Sequence, residues 1–205
     1  VIVGKPSNQT YFFSDQMERV EFNPYWGIPQ SSIKGEYLRR VQNNPSYFEQ
    51  RGYEVLNSRG KRISGWDVDW WNYRGGIGVR QKPGPKNALG EVKFMFPNKH
   101  AIYLHDTPKR SLFKNDSRAY SHGCVRVQNP RELATQILGW SQNKIASTIA
   151  TRKNTPVHLK NKLPVHLTYF TAWTDESGDL AYYNDVYKRD MYLARALKAE
   201  KSALR

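Results

Sequence analysis

Val92-Lys93-Phe94-Met95-Phe96 alternates with the period of a strand. Shortly beyond it, His100-Ala101-Ile102-Tyr103-Leu104 reads as a short buried strand that ends on His105-Asp106-Thr107, where Pro108 turns the chain sharply. Upstream, Val1-Ile2-Val3-Gly4 reads as a strand already under way. Downstream, Pro156-Val157-His158-Leu159 and Pro164 to Phe170 read as two strands, and Glu176-Ser177-Gly178-Asp179 turns the chain into Leu180-Ala181-Tyr182-Tyr183, a hairpin. Helices frame these strands. Asn129-Pro130-Arg131-Glu132 offers an N-cap, a proline at the first helical position and a capping-box acid, followed by an apolar face of Leu133, Ile137 and Leu138. A second helix is expected over about 142–152 and a basic one over 188 to about 203. The expected fold is a β-rich α+β domain, a core of mixed sheets or a sandwich with helices on its surface.

Residues 1 to about 29 end in the rigid Asn23-Pro24-Tyr25-Trp26-Gly27-Ile28-Pro29, and between about 30 and 78 the texture changes. Ile33, Tyr37, Leu38 and Val41 carry a helical spacing that Pro45 stops. Gly65-Trp66-Asp67-Val68-Asp69-Trp70-Trp71-Asn72-Tyr73 is too aromatic for a solvated loop, and three Trp so close together must pack on something. Two readings stand: the rings pack a small subdomain, or they form a lid over a cleft, with Gly60 and Gly75-Gly76 as hinges.

The 205 residues suffice for a real core without metals or disulfides, and 6 Trp, 13 Tyr and 8 Phe argue against disorder. The formal charge of +14 calls for a polyanionic neighbour, whether nucleic acid, anionic lipid or a carboxylate-bearing polymer. The Lys and Arg are spread along the chain with no nucleic-acid motif or basic run, so nucleic acid is not the expected partner. No apolar run is long enough to cross a bilayer, and the sequence has the look of a fragment of a longer precursor. One Cys supports neither an intramolecular disulfide nor a metal cluster, and the five His show no ligand-like spacing. No cofactor and no metal are expected.

The chemistry concentrates in Ser121-His122-Gly123-Cys124-Val125-Arg126. A nucleophilic Cys needs thiolate character, drawn from a base, cations or backbone N–H donors. Cys124 follows Gly123, where the backbone can approach a substrate closely, and sits between His122 and Arg126; the competing reading is a small hydrophobe buried in a strand. His105, ending an apolar strand, is a platform for a base, and a loop can bring the chain back beside it.

His105, then fifteen residues, then Ser121-His122-Gly123-Cys124, with Arg126 following, resembles the signature of the YkuD-type L,D-transpeptidases, in which a His precedes Ser/Thr-His-Gly-Cys by about that interval. The resemblance extends to large periplasmic members with an inserted lid that form 3-3 cross-links between diaminopimelate residues. There, as in Phe22 to Pro29, a Phe/Val-Asn-Pro-x-Trp-x-x-Pro segment precedes the insertion, and a Pro-Gly-Pro-x-Asn-x-Leu-Gly segment, as in Pro83 to Gly90, follows it. The chain departs from the family pattern at His105-Asp106-Thr107, where many members have His-Gly-Thr, and at Thr10-Tyr11-Phe12, where many have Thr-Pro.

The resemblance implies a YkuD-type core spanning 1–205 with a lid insertion at about 30–78. It makes Cys124 the nucleophile and His105 the general base, with Gly123 and Cys124 N–H groups as oxyanion donors. Arg126 then holds the loop or a substrate carboxylate, with Tyr103 as a further substrate-binding candidate. His122 shapes the loop, and either Ser121 or a backbone carbonyl orients the imidazole; the third member of the group stays open. Peptidoglycan stem peptides are the implied substrates, carbapenem-type β-lactams the implied covalent inhibitors, and the periplasm the implied location. An L,D-carboxypeptidase or amidase on the same scaffold and a non-catalytic wall- or nucleic-acid-binding module are the rival readings.

Overall fold

Val20 and Phe22 in the strand β2 (Phe13–Phe22) stand opposite Phe94 and Val92 in β7 (Val92–Met95), and all four are fully buried. This apolar face organises the five-stranded sheet of the protein, whose computed structural model describes residues 1–203. The remaining strands are β1 (Val3–Gly4), β3 (Trp26–Gly27), β4 (Tyr53–Leu56), β5 (Arg62–Ile63), β6 (Gly78–Gln81), β8 (Leu104–His105), β9 (Ala119–Ser121), β10 (Val125–Arg126), β11 (Thr155–Leu167), β12 (Ala172–Thr174) and β13 (Leu180–Tyr182). The five-stranded sheet runs β10-β8-β7-β2-β11, antiparallel except for the parallel pair β10 and β8. Helices α3 (Pro130–Leu138) and α4 (Gln142–Ala150) cover its apolar face with Ala134, Ile145 and Ile149. Beside it β1 pairs in parallel with β9, while β12 and β13 form the expected hairpin and α5 (Arg189–Ala203) the expected basic helix. The architecture is mixed α+β and rich in strands, as the sequence indicates.

Three local expectations are corrected. The strand read over His100–Leu104 begins only at Leu104. Asn98 is the reason: its Oδ1 accepts from the His100 and Ile102 amides and its Nδ2 donates to the Ile102 carbonyl, satisfying backbone groups that a ladder would otherwise need, and Ala101 sits at φ 53°. The two strands read around Pro156 and Pro164 are one, β11, with an irregularity in register between His158 and Leu163; as an edge strand it tolerates both prolines. Asn129 precedes α3 without a side-chain cap, and the capping box forms instead between Ser64 and Asp67.

Residues 26–81 hold a second core. Strands β3-β6-β4-β5 form an antiparallel sheet against the helix α1 (Gln30–Ser32), which runs through a π-helical stretch, Ile33–Tyr37, into α2 (Leu38–Asn43). Ile28, Ile33, Val41, Phe48, Val55, Trp70 and Val79 are buried together. Trp70 is 2% exposed and donates its Nε1–H to the Gly65 carbonyl at 2.7 Å, whereas Trp66 and Trp71 are 69% and 73% exposed. The expectation that all three Trp pack away from water therefore holds for Trp70 alone.

Candidate active site

The register of the five-stranded sheet lines up one row of ionisable residues on the face away from α3 and α4. Glu21 stands opposite Lys93, Lys93 opposite His105, and His105 opposite Arg126, across β2, β7, β8 and β10. Strand alternation follows, because Val20, Phe94, Leu104 and Val125 occupy the other face. His105 is 5% exposed, and its Nδ1 lies 2.5 Å from the Asp106 carbonyl oxygen. A carbonyl only accepts, so Nδ1 carries the hydrogen and Nε2 keeps a lone pair. Burial pushes the imidazole pKa down to about 4; the Asp106 hydrogen bond opposes the shift, and the Arg126 and Lys93 charges add to it.

Asp106 thus orients the imidazole through its backbone, while its side chain pins the corner after β8. One carboxylate oxygen accepts from the Arg110 guanidinium at 2.9 Å and the other from the Glu91 amide at 2.9 Å. Burial raises the carboxyl pKa, against those hydrogen bonds and the Arg110 charge. Gly90, at φ 62°, lies so close that a Cβ there would stand 2.3 Å from Asp106 Oδ2. The fully buried Asn87 ties this corner to the earlier Asn-Pro segment, donating to the Pro24 carbonyl at 2.9 Å. Segments 22–29 and 83–90 therefore meet at this bond.

Cys124 sits in the loop between β9 and β10, held at three backbone points. Ser121 Oγ donates to the Cys124 carbonyl at 2.5 Å and accepts from the Gly123 amide at 3.0 Å. Thr10 Oγ1 donates to the Gly123 carbonyl at 2.8 Å. Gly123 adopts φ 118°, open to glycine and strained for other residues. With its amide committed to Ser121, Gly123 is not the free oxyanion donor the sequence reading expected; the Cys124 N–H carries no hydrogen bond among the described residues. Ser121 fastens the loop, and among the described residues no hydrogen bond joins it to the imidazole, which the Asp106 carbonyl orients instead.

Burial pushes the Cys124 thiol up; hydrogen bonds from the Tyr103 amide and hydroxyl and the charges of Lys93 and Arg126 offset part of that rise. The thiol points its proton at the Ala101 carbonyl, 3.8 Å away, and no hydrogen bond joins Cys124 to His105 among the described residues. The Tyr103 hydroxyl meets the Cys124 sulfur, and its ring packs edge-on to the imidazole at 5.6 Å. Its phenol is raised by burial, then by the Cys124 sulfur, and a hydrogen bond from Trp26 of β3 works against the rise. Lys93 places its ammonium 4.2 Å from the centre of that ring, its pKa lowered by burial against the pull of Glu21. Neither Lys93 nor Trp26 stood out as a site residue in the sequence.

Arg126 keeps a buried Nε without a hydrogen-bond partner, and its backbone is clamped by Ile2 through two hydrogen bonds of 2.9 and 2.8 Å. His122 is exposed and lines a cavity of about 350 Å3 with Asn8, Gln9, His100 and Ile102. A cavity of about 660 Å3 between α3 and α4 is lined by Arg110, the partner of Asp106, but by neither His105 nor Cys124. Among the described residues no cluster of His, Cys, Asp or Glu is placed to hold a metal ion, and no helix is long and apolar enough to cross a membrane.

The sequence profile of the YkuD family, described as the L,D-transpeptidase catalytic domain, matches residues 1–159. A Haemophilus influenzae protein, provisionally named as an L,D-transpeptidase, is 36% identical over 199 residues, covering 93% of this chain and 40% of its own length.

Proposed function

Because this chain belongs to the YkuD family of L,D-transpeptidase catalytic domains, we propose that it cross-links peptidoglycan stem peptides in the periplasm by acyl transfer through Cys124. The supporting observation is that Cys124 directly precedes β10 while His105 ends its parallel neighbour β8, with the imidazole already oriented by the Asp106 carbonyl. Cys124 Sγ attacks the carbonyl between the third and fourth residues of a donor tetrapeptide stem while His105 Nε2 takes the thiol proton. The tetrahedral oxyanion receives the Cys124 N–H. Collapse forms the thioester, and the proton on His105 leaves with the released D-alanine amine. In the second half-reaction a neutral diaminopimelate side-chain amine attacks the thioester, gives its proton to His105 and expels the thiol, completing a 3-3 cross-link.

A lid over about 30–78 is supported by Trp26, in the segment that leads into it, which reaches Tyr103 beside the nucleophile. Closure over the thioester excludes water and favours aminolysis over hydrolysis. Arg126, Lys93 and the +14 surface attract the carboxylates of the stems. A carbapenem-type β-lactam acylates the same sulfur.

The test is Cys124→Ala, assayed by mass spectrometry of purified wall fragments. The variant should stay folded, form no cross-linked product and take up no carbapenem adduct, while the parent gains one. Substantial cross-linking by the variant would remove Cys124 from the mechanism. Release of D-alanine without cross-link, with an amine acceptor present, would make water the acceptor.

A further inference from the structure

The segment after residue 167 lies beyond the stretch the family profile matches, yet it reaches the catalytic loop. Tyr187 is 4% exposed although it comes from the irregular stretch before α5. Its hydroxyl donates to the Gly4 carbonyl at 2.6 Å and accepts from the Thr10 amide at 3.4 Å. Thr10, also 4% exposed, accepts from the Gly4 amide at 2.9 Å and donates onward to the Gly123 carbonyl. The ring of Tyr187 is itself fixed, stacked on Tyr169 at 5.3 Å with Phe12 alongside. Tyr169 donates to Asp185, whose carboxylate accepts the Arg189 and Asp190 amides at the start of α5.

The peptide between Gly123 and Cys124 is planar and trans, so its C=O and N–H point in opposite directions. Whatever holds the Gly123 oxygen aims the Cys124 N–H. Gly123, at φ 118°, supplies no side chain of its own to resist rotation of that plane. We propose that Tyr187 is a positioning residue for the catalytic loop: it fixes Gly4 and Thr10, and through the Thr10 hydroxyl it holds the Gly123 carbonyl so that the Cys124 amide faces the reacting carbonyl. The proposal rests on the reading of Cys124 as the nucleophile. It makes the C-terminal segment part of the active site, and it gives a task to Thr10 in the loop where this chain departs from the family pattern.

The experiment compares Tyr187→Phe, Thr10→Val and Thr10→Ser with the parent chain. Losing a whole oxyanion donor costs about 10²–10³ in kcat, and a misaimed one costs a part of that. Thr10→Val and Tyr187→Phe should lower kcat for acyl transfer from a tetrapeptide stem by about 10-fold or more, with KM within about 2-fold. Thr10→Ser, which keeps the hydroxyl, should return to within about 3-fold of the parent. Alkylation of Cys124 by iodoacetamide needs no oxyanion donor and should be unchanged in all three. The 15N–1H resonance of the Cys124 amide should move in Thr10→Val and Tyr187→Phe and return in Thr10→Ser. If Thr10→Val fails to fold, Tyr187→Phe, which keeps the stacked ring, decides alone. Folded variants with parental kcat and an unmoved amide resonance overturn the proposal, as does a Thr10→Ser as impaired as Thr10→Val. A parent chain without acyl-transfer activity refutes the proposed function instead, and the amide resonance still judges the positioning.

Discussion

Lowering the pH from 7 to 5 should destabilise the fold through one buried imidazole. Burial holds His105 at about 4 in the folded chain, against about 6.5 when unfolded. Between those values the unfolded chain binds a proton that the folded chain refuses, so stability is lost as pH falls through the window and is fully present above it. The gap of roughly 2.5 units is worth about 3 kcal/mol in full, and about 2 kcal/mol of it falls between pH 7 and 5. The control is His105→Asn, whose amide can still donate to the Asp106 carbonyl but does not titrate. Urea unfolding at pH 7, 6 and 5 should show the parent losing about 2 kcal/mol more than the variant across the range. The raised Asp106 carboxyl is common to both proteins and drops out of the difference. Parallel stability curves, or an imidazole that titrates near 6.5 by NMR, would refute the reasoning.

Two further outcomes test the supports of the site. Trp70→Ala removes the largest side chain of the second core and its bond to Gly65, and should cost about 3–5 kcal/mol by denaturant unfolding; Trp66→Ala and Trp71→Ala, both at exposed positions, should stay within about 0.5 kcal/mol. Gly90→Ala places a methyl against Asp106 at a positive φ and should destabilise by more than about 1 kcal/mol while slowing Cys124 acylation, read by denaturation and by adduct mass.

What the sequence exposed and what it hid divide along local and non-local lines. The end of β8 at His105, the turn at Pro108 and the glycine before Cys124 each rest on chain neighbours, and a local reading reaches them. The register that aligns Glu21 and Lys93 with His105 and Arg126 depends on strands from four parts of the chain, so no window of sequence contains it. The same holds for Thr10 on Gly123 and Tyr187 on Thr10, separated by 113 and 177 positions. Chain neighbours misled in two places. Ser121 adjoins the loop and looked fit to orient an imidazole, but its hydroxyl is taken by its own loop. The cost of apolar area in water predicts a packed Trp cluster and gives no account of Trp66 and Trp71 standing exposed.

The expectation of thiolate character also gives way, and the consequence reaches the mechanism. Even an ordinary thiol pKa of about 8.5 leaves about 4.5 units to an imidazole at about 4, or ~6 kcal/mol against proton transfer. A contact ion pair at ~4 Å returns about 4 kcal/mol at an effective dielectric near 20, and burial of the thiol adds to the deficit. The resting pair is therefore thiol and neutral imidazole, in keeping with a sulfur that donates to the Ala101 carbonyl instead of His105. On the proposed mechanism, the thiolate forms only as a bound acyl donor turns the sulfur towards Nε2 and the attack consumes the charge. Lys93 and Arg126 then act on a transient anion, where their charges are worth more than in the resting site.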